Sequence, residues 1–94
     1  MKFKYSEEKN SWLLEQRGIG FAEMITEIEK GNIIDIVMHT NQTRYPHQRV
    51  MRILCLGTVY CVPYVKETED VFFLKTLYPS RKATKEYLRQ LKEE

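Results

Sequence analysis

Two groups of basic and titratable side chains in the second half of the sequence could bind phosphate and move protons. The first group consists of Arg44, His47, Arg49 and Arg52. The second group consists of Lys75, Tyr78, Arg81, Lys82 and Lys85. The planar fork of arginine binds phosphate oxygens in pairs, and histidine exchanges protons near neutral pH. These residue types are suited to holding a polyanion and exchanging protons beside it.

The cations of the second group lie where a helix should repel them. Ser80 can act as an N-cap, so Arg81, Lys82 and Lys85 fall at the start of a predicted helix. A helix start carries partial positive charge, and an exposed cation there costs about 0.3–1 kcal/mol. A bound phosphate would reverse the effect, because the helix start presents free N–H groups to an anion. A nearby carboxylate would also offset the cost, and solvent screening would make it negligible.

Charge is distributed unevenly along the chain. Between Ser6 and Asp35 there are seven acids and three bases. Between His39 and Arg52 there are three arginines, both histidines and no acid. Between Lys75 and Lys92 there are six bases and a single acid, Glu86. This asymmetry indicates a polyanion as the partner of the basic half.

Length and composition predict one globular domain over residues 1–94. The chain is 43% hydrophobic and 30% charged, with a net charge of +2. No apolar run approaches the roughly 20 residues needed to span a bilayer. The first residues lack the apolar core of a signal peptide, so we expect a cytoplasmic protein without membrane association.

The two cysteines, Cys55 and Cys61, lie in apolar, strand-like runs. We expect reduced, buried thiols, because free cysteine packs as a small hydrophobic residue in cytosolic proteins. Whether they meet across a hairpin depends on a register that the sequence leaves open. No cysteine–histidine spacing indicates zinc, and we expect neither a metal nor another cofactor.

The first half of the chain predicts a short strand and two helices. Residues 2–6 alternate, with Phe3 and Tyr5 on one side. A first helix should begin after Ser6 and end at Gly18, with Trp12 and Leu13 facing inward. A second helix should follow at once and end at Gly31. Its apolar stripe, at positions i, i+3, i+4 and i+7, is Phe21, Met24, Ile25 and Ile28.

The second half predicts four strands and a final helix. The strands are expected at 33–38, 49–56, 59–65 and 71–78, with a polar loop at 39–48. Pro63 predicts an edge or a strand end, and the apolar run 71–78 predicts a central strand. One face of the final helix should pack on the sheet: Ala83, Thr84, Tyr87, Leu88 and Leu91. The expected fold is α+β, with two short N-terminal helices, an antiparallel β-sheet meander and a C-terminal helix packed on the sheet.

The two ends of the chain resemble the BrnT family of bacterial type II toxins. "KYSEEKNSWLLEQRGIGFAEM" resembles the family's opening, approximately F-x-W-D-x-x-K-x-x-x-N-x-x-K-H-G-(I/V)-x-F. Lys9, Gly18, Ile19 and Phe21 match this frame, and Tyr5 takes the place of its tryptophan. "SRKATKEYL" resembles the closing "ARKATRREREFY" through residues 81–84.

The resemblance implies a RelE/ParE-like fold and a ribonuclease that blocks translation. It also implies neutralisation by a cognate antitoxin, a DNA-binding protein of the ribbon-helix-helix or helix-turn-helix type. The chain would then contact RNA directly and operator DNA only through that antitoxin.

Cleavage of RNA by its own 2′-hydroxyl needs a base, an acid and cations around the phosphate, but no metal. His47 is the candidate base or acid. Arg81 is the first candidate for phosphate contact, with Arg49 and Arg52 behind it, and Tyr78 could donate a proton or stack on a base. The candidates for RNA binding are Arg44, Lys75, Lys82 and Lys85. We expect the meander to bring both groups onto one surface.

Each assignment has a structural alternative. His47 and His39 could be solvated loop residues. Arg49 and Arg52 lie three apart on a strand, so they leave opposite faces and at most one can lie in a concave site. Lys85 could belong to a solvated basic face of the final helix.

Three parts of the sequence depart from the BrnT pattern. Gln16 and Arg17 replace the family's Lys-His, the segment "YPHQRVMR" lacks the family's acid, and Thr76 replaces an arginine on the last strand. Three hypotheses therefore stay open. They are a toxin that cleaves RNA, a non-catalytic toxin-like protein that retains only antitoxin binding, and a simple nucleic-acid-binding domain.

Overall fold

A six-stranded sheet forms the centre of the fold in a computed structural model that describes residues 1–93. In chain order the elements are β1 (Lys2–Tyr5), α1 (Glu7–Arg17), α2 (Phe21–Glu29), β2 (Ile33–Met38), β3 (Arg49–Cys55), β4 (Thr58–Lys66), β5 (Val71–Leu74), β6 (Tyr78–Pro79) and α3 (Arg81–Glu93). Helices and strands segregate along the chain, so the predicted α+β class is confirmed.

The sheet order is β1-β5-β4-β3-β2, and β6 pairs with β4. Strands β2 to β5 form the predicted antiparallel meander. The first strand, β1, joins it in parallel with β5. Leu56 and Gly57 turn the chain between β3 and β4 with φ of 51° and 79°. Two positive φ values are what a tight two-residue hairpin turn requires.

The prediction of an edge strand at Pro63 is wrong, because β4 is the central strand; the alternative, a nearby strand end, fits better, since β4 ends at Lys66. Pro63 pairs with Val50 on β3, and its carbonyl accepts the N–H of Lys75 at 2.8 Å. In an antiparallel strand the N–H and C=O of one residue point to the same side. The missing N–H of Pro63 therefore faces the stretch between β5 and β6, where the chain has left the ladder.

The predicted central strand at 71–78 is divided in the structure. β5 ends at Leu74 and lies second from the edge, and the ladder resumes only at Tyr78. Between the two strands Leu77 turns into the core and is fully buried. An apolar run predicts burial correctly here, but it does not predict that the burial happens outside the ladder.

The two predicted N-terminal helices are present, and they pack on the sheet. Ser6 caps α1 by accepting the N–H of Lys9 at 3.1 Å, and Gly18 ends the helix with φ 70°. The side chain of Asn10 accepts the first N–H of α2, that of Phe21, at 2.8 Å. The core between the helices and the sheet includes Leu13, Phe21, Met24, Ile28, Met51, Ile53, Val62, Tyr64, Leu74 and Leu77.

The prediction that Trp12 faces inward is wrong. Its side chain is 44% exposed, whereas the neighbouring Leu13 is fully buried. The Lys9 ammonium lies 4.3 Å from the centroid of the indole ring, and the Arg17 guanidinium lies 5.9 Å from it. The indole therefore packs beside cations on the solvent side of α1.

The first half of α3 is tied to the sheet and the second half is not. Ser80 caps the helix by accepting the N–H of Ala83 at 3.1 Å. The Thr84 hydroxyl accepts the N–H of Val59 on β4 at 2.9 Å and donates to the carbonyl of Ser80 at 2.7 Å. Ala83 is buried, but every residue from Leu88 to Glu93 is exposed. The prediction that Leu88 and Leu91 pack on the sheet is therefore wrong.

Adjacent residues of α1 give a direct test of this packing. Leu13→Ala should lower the free energy of unfolding by about 2–5 kcal/mol, because it opens a cavity in the core. Trp12→Ala should cost less than about 1 kcal/mol, because it removes mainly an exposed cation–π contact. Urea unfolding followed by far-UV circular dichroism measures both, since Trp12 is the only tryptophan. Equal losses in the two variants would contradict the described orientation of α1.

Candidate functional site

An open pocket of about 340 Å³ lies between the sheet and the first turns of α3, and we call it the corner pocket. Strands β3, β4 and β6 supply its floor. The wall that faces α3 is formed by the end of β2 and the residues that follow it. The titratable groups around it are His39, Arg52, Cys61, Tyr78, Lys82 and Glu86.

Arg52 is the electrostatic centre of the corner pocket. It stands opposite Asp35 in the β2–β3 ladder, and its Nε and Nη2 donate to the two Asp35 oxygens at 2.6 and 2.5 Å. Its remaining nitrogen, Nη1, lies 3.6 Å from Oε2 of Glu86 on α3. The hydrogen bond to Asp35 is the main cause that raises the pKa of Arg52. Arg52 therefore joins three elements, and Asp35 occupies two of its nitrogens.

Tyr78 and Cys61 are neutral groups in the pocket. The β4–β6 ladder places them opposite each other. Burial is the largest cause that raises the pKa of each side chain, so both keep their protons at neutral pH. Cys61 and Cys55 are both buried and free, as predicted. Tyr78 is therefore a protonated hydroxyl at the pocket floor, beside the Cys61 thiol.

His39 is the histidine that lines the corner pocket. Its Nδ1 accepts the N–H of Asn41 at 3.0 Å, and its ring packs against Tyr45 with the centroids 4.6 Å apart. An Nδ1 that accepts a hydrogen bond leaves the ring hydrogen on Nε2 in the neutral form. Proton transfer at Nε2 therefore requires the bond to Asn41 to open, so that Nδ1 can carry a hydrogen.

The start of α3 divides its cations between two sites. Lys82 lines the corner pocket together with Glu86, one turn further along the helix. Arg81 and Lys85 instead line a shallow groove beside Thr58 and Pro79. No salt bridge joins Arg81 or Lys82 to a carboxylate in the described part of the chain. Lys82, and not Arg81, is thus the helix-start cation of the pocket.

The two predicted groups of residues do not come together in one pocket. His47 and Arg49 line a separate groove with Pro46 and Lys66. Arg49 and Arg52 point to opposite faces of β3, as their spacing requires. Of the predicted catalytic residues, only Arg52 and Tyr78 line the corner pocket. His47, Arg49 and Arg81 do not.

The last two predicted RNA-binding residues are exposed and rest on neighbouring aromatic rings. The Lys75 ammonium lies 5.1 Å from the centroid of the Phe73 ring. The Arg44 guanidinium lies 5.4 Å from the centroid of the Tyr45 ring. Neither of them lines the corner pocket.

Asp35, Glu86 and His39 belong to the site but were not among the predicted site residues. The segment "YPHQRVMR", where the BrnT pattern has an acid, contains no carboxylate. A signal for Asp35 existed, because β2 and β3 flank one polar loop. An antiparallel pairing that starts at Met38 and Arg49 brings residues 35 and 52 opposite each other. Nothing comparable in the sequence indicates the contact of Glu86.

The corner pocket holds the groups that proton transfer beside a phosphate requires. Lys82 and Arg52 supply positive charge, Glu86 and His39 can exchange protons, and Tyr78 can donate a hydrogen bond. Among residues 1–93 no cluster of three or more histidine, cysteine or acidic side chains could hold a metal ion. No helix in that range is long and apolar enough to cross a membrane.

No family model, curated protein or solved structure matches this chain. The corner pocket and the two end motifs are therefore the basis for a functional proposal.

The geometry around Arg52 predicts unequal roles for its two carboxylates. Asp35→Ala should lower the free energy of unfolding by about 1–3 kcal/mol, because it leaves two half-buried donors without their partner. Glu86→Ala should cost less than about 1 kcal/mol, because its contact is longer and more exposed. Urea unfolding at neutral pH measures both. A larger loss for Glu86→Ala would contradict the bidentate Asp35–Arg52 pair.

Proposed function

We propose that this chain is the toxin of a bacterial type II toxin–antitoxin system, and that it acts in the cytoplasm as a metal-independent ribonuclease that inhibits translation. One observation carries the proposal. Arg52, Tyr78 and Lys82, all candidates from the sequence, line one pocket with an imidazole and a carboxylate. The resemblance of both chain ends to BrnT toxins supports the same conclusion.

In the proposed reaction the 2′-hydroxyl of one nucleotide attacks the phosphate that follows it. Glu86 accepts the hydroxyl proton, and the phosphorus–oxygen bond to the next nucleotide breaks. His39, once its bond to Asn41 opens and both ring nitrogens carry hydrogen, donates its Nε2 proton to the departing 5′ oxygen. This leaves a 2′,3′-cyclic phosphate on the other product. Lys82 and the Nη1 group of Arg52 stabilise the charge on the phosphate, and Tyr78 donates a hydrogen bond or stacks on a base.

The proposed partners follow from the resemblance and the charge of the chain. RNA is the substrate. A cognate antitoxin of the ribbon-helix-helix or helix-turn-helix type holds the toxin inactive, and operator DNA is contacted only through it. Acidic side chains of such an antitoxin would suit Lys82 and the exposed basic residues of α3.

Lys82→Ala tests the phosphate role. It should lower the rate of RNA cleavage by about 100-fold or more, because it removes a preorganised cation beside the reacting phosphate. The assay is cleavage of a labelled ribo-oligonucleotide by purified protein, with 2′,3′-cyclic phosphate as the expected product. Lys92→Ala is the matched control, since it removes the same charge from the exposed end of α3 and should leave the rate unchanged. Equal cleavage rates in the two variants would show that Lys82 does not stabilise the reacting phosphate.

The two histidines of the chain provide a second matched pair. His39→Gln should lower the cleavage rate by about 100-fold or more, because it removes the proposed general acid. His47→Gln should leave the rate close to that of the wild type, because His47 lines a different groove. The same oligonucleotide assay measures both, with far-UV circular dichroism to confirm folding. A greater loss of cleavage rate in His47→Gln than in His39→Gln would instead assign the catalytic role to His47.

A second candidate function is a non-catalytic toxin-like protein that only binds an antitoxin. It is favoured by the ion pair in the corner pocket. Asp35 already occupies two nitrogens of Arg52, so only Nη1 is left to bind a phosphate. This candidate predicts a stable complex with an antitoxin encoded beside the gene, and intact RNA at high protein concentration. Cleavage by the wild type that Lys82→Ala abolishes would exclude it.

A further inference from the structure

Strand β2 is an edge of the sheet, and beyond its register shift between Ile33 and Asp35 its last three residues are uncharged. Its last residues, Ile36, Val37 and Met38, are 49%, 37% and 55% exposed. The opposite edge strand, β1, places exposed Lys2 and Lys4 along its length. Lysines on an edge strand discourage pairing with another chain, whereas an uncharged apolar edge invites it.

The backbone groups of this edge point outward in a defined pattern. The N–H of His39 donates to the carbonyl of Gln48, so residue 39 points its backbone groups toward the β3 side. Backbone groups of an antiparallel strand alternate in direction from one residue to the next. Val37 therefore bonds toward β3, and the N–H and C=O of Ile36 and Met38 face open solvent. Together these two residues offer a complete hydrogen-bonding edge.

The apolar edge is complementary to a second copy of itself in one antiparallel register. With Val37 on the two-fold axis, Ile36 of each copy lies opposite Met38 of the other, and the outward backbone groups pair. The same register places Asp35, whose oxygens accept from Arg52 of its own copy, opposite the imidazole of His39 of the second copy. A register centred on Ile36 would instead set Val37 against Asp35, an apolar side chain against a charge.

We propose that two copies of this chain associate through β2, in an antiparallel pairing centred on Val37 that joins the two sheets into one. A two-fold axis normal to the sheet leaves both α3 helices and both corner pockets on the same face. Each copy then brings its Asp35 to the seam beside the His39 that lines the other copy's pocket. This inference does not depend on the proposed function.

The predicted dimer is weak. The pairing strand is three residues long, so its buried area falls below the roughly 1,200–2,000 Å² of standard stable interfaces. We therefore expect exchange between monomer and dimer at about micromolar concentration. Sedimentation velocity of the wild type across that range should show the sedimenting mass double as concentration rises.

Two cysteine variants test the register. Val37→Cys should form a disulfide-linked dimer under mild oxidation, because residues on the axis of a non-hydrogen-bonded pair have Cα atoms about 4.5 Å apart. Ile36→Cys should not, because the two copies of residue 36 are offset along the strands beyond the roughly 7 Å limit for a disulfide. Non-reducing gel electrophoresis separates the monomer from the disulfide-linked dimer in both variants. The native cysteines are buried, so they should not form the link themselves.

A charge variant tests the edge without new cysteines. Val37→Lys should shift the protein to the monomer mass at every concentration, and Ser11→Lys, on an exposed position of α1, should leave the dimer intact. Several outcomes would overturn the proposal. They are a wild type that stays monomeric throughout, cross-linking at Ile36→Cys as fast as at Val37→Cys, and dimers that persist in Val37→Lys.

Discussion

The ion pair between Arg52 and Asp35 holds together the part of the molecule where function is proposed. Arg52 leaves the middle of β3, and its side chain reaches a carboxylate on β2 and another on α3. Its side chain is only 26% exposed, so an unpaired charge there would be costly. The pair fixes the position of the guanidinium at the floor of the corner pocket, and with it the place where Glu86 and the first turns of α3 meet the sheet.

The attachment of α3 follows from the same arrangement. Thr84 bonds to β4, and Glu86 reaches Arg52 on β3, so the helix runs from the centre of the sheet toward its β2 side. Beyond that point its residues are exposed, and Leu88 and Leu91 have lost the contacts that their spacing predicts. A helical stripe reports which residues share a face, but it does not report how far the sheet extends beneath them.

Local chemistry predicted most of the fold. The helix boundaries predicted at Ser6, Gly18 and Ser80 are confirmed, because each is set by hydrogen bonds to neighbouring residues. The errors concern interactions between distant residues. Pro63 sits in the central strand because the ladder beside it is interrupted, which no local pattern reveals. The site shows the same limit: Arg52, Tyr78 and Lys82 were found, but the histidine that joins them depends on where the loop after β2 turns.

Of the cations at the start of α3, Lys82 is the one that lies in a pocket with a carboxylate. Lys82 opposes the helix dipole, but it shares the corner pocket with Glu86, and Asp35 lies behind Arg52. These two carboxylates balance the formal charges of Lys82 and Arg52 and offset the positive field of the helix start, so the pocket is not strongly basic. In the proposed reaction, the phosphate of the RNA competes with these acids for the two cations. That competition favours a ligand that also delivers a proton to Glu86, as a 2′-hydroxyl does, over a bare anion that only adds negative charge.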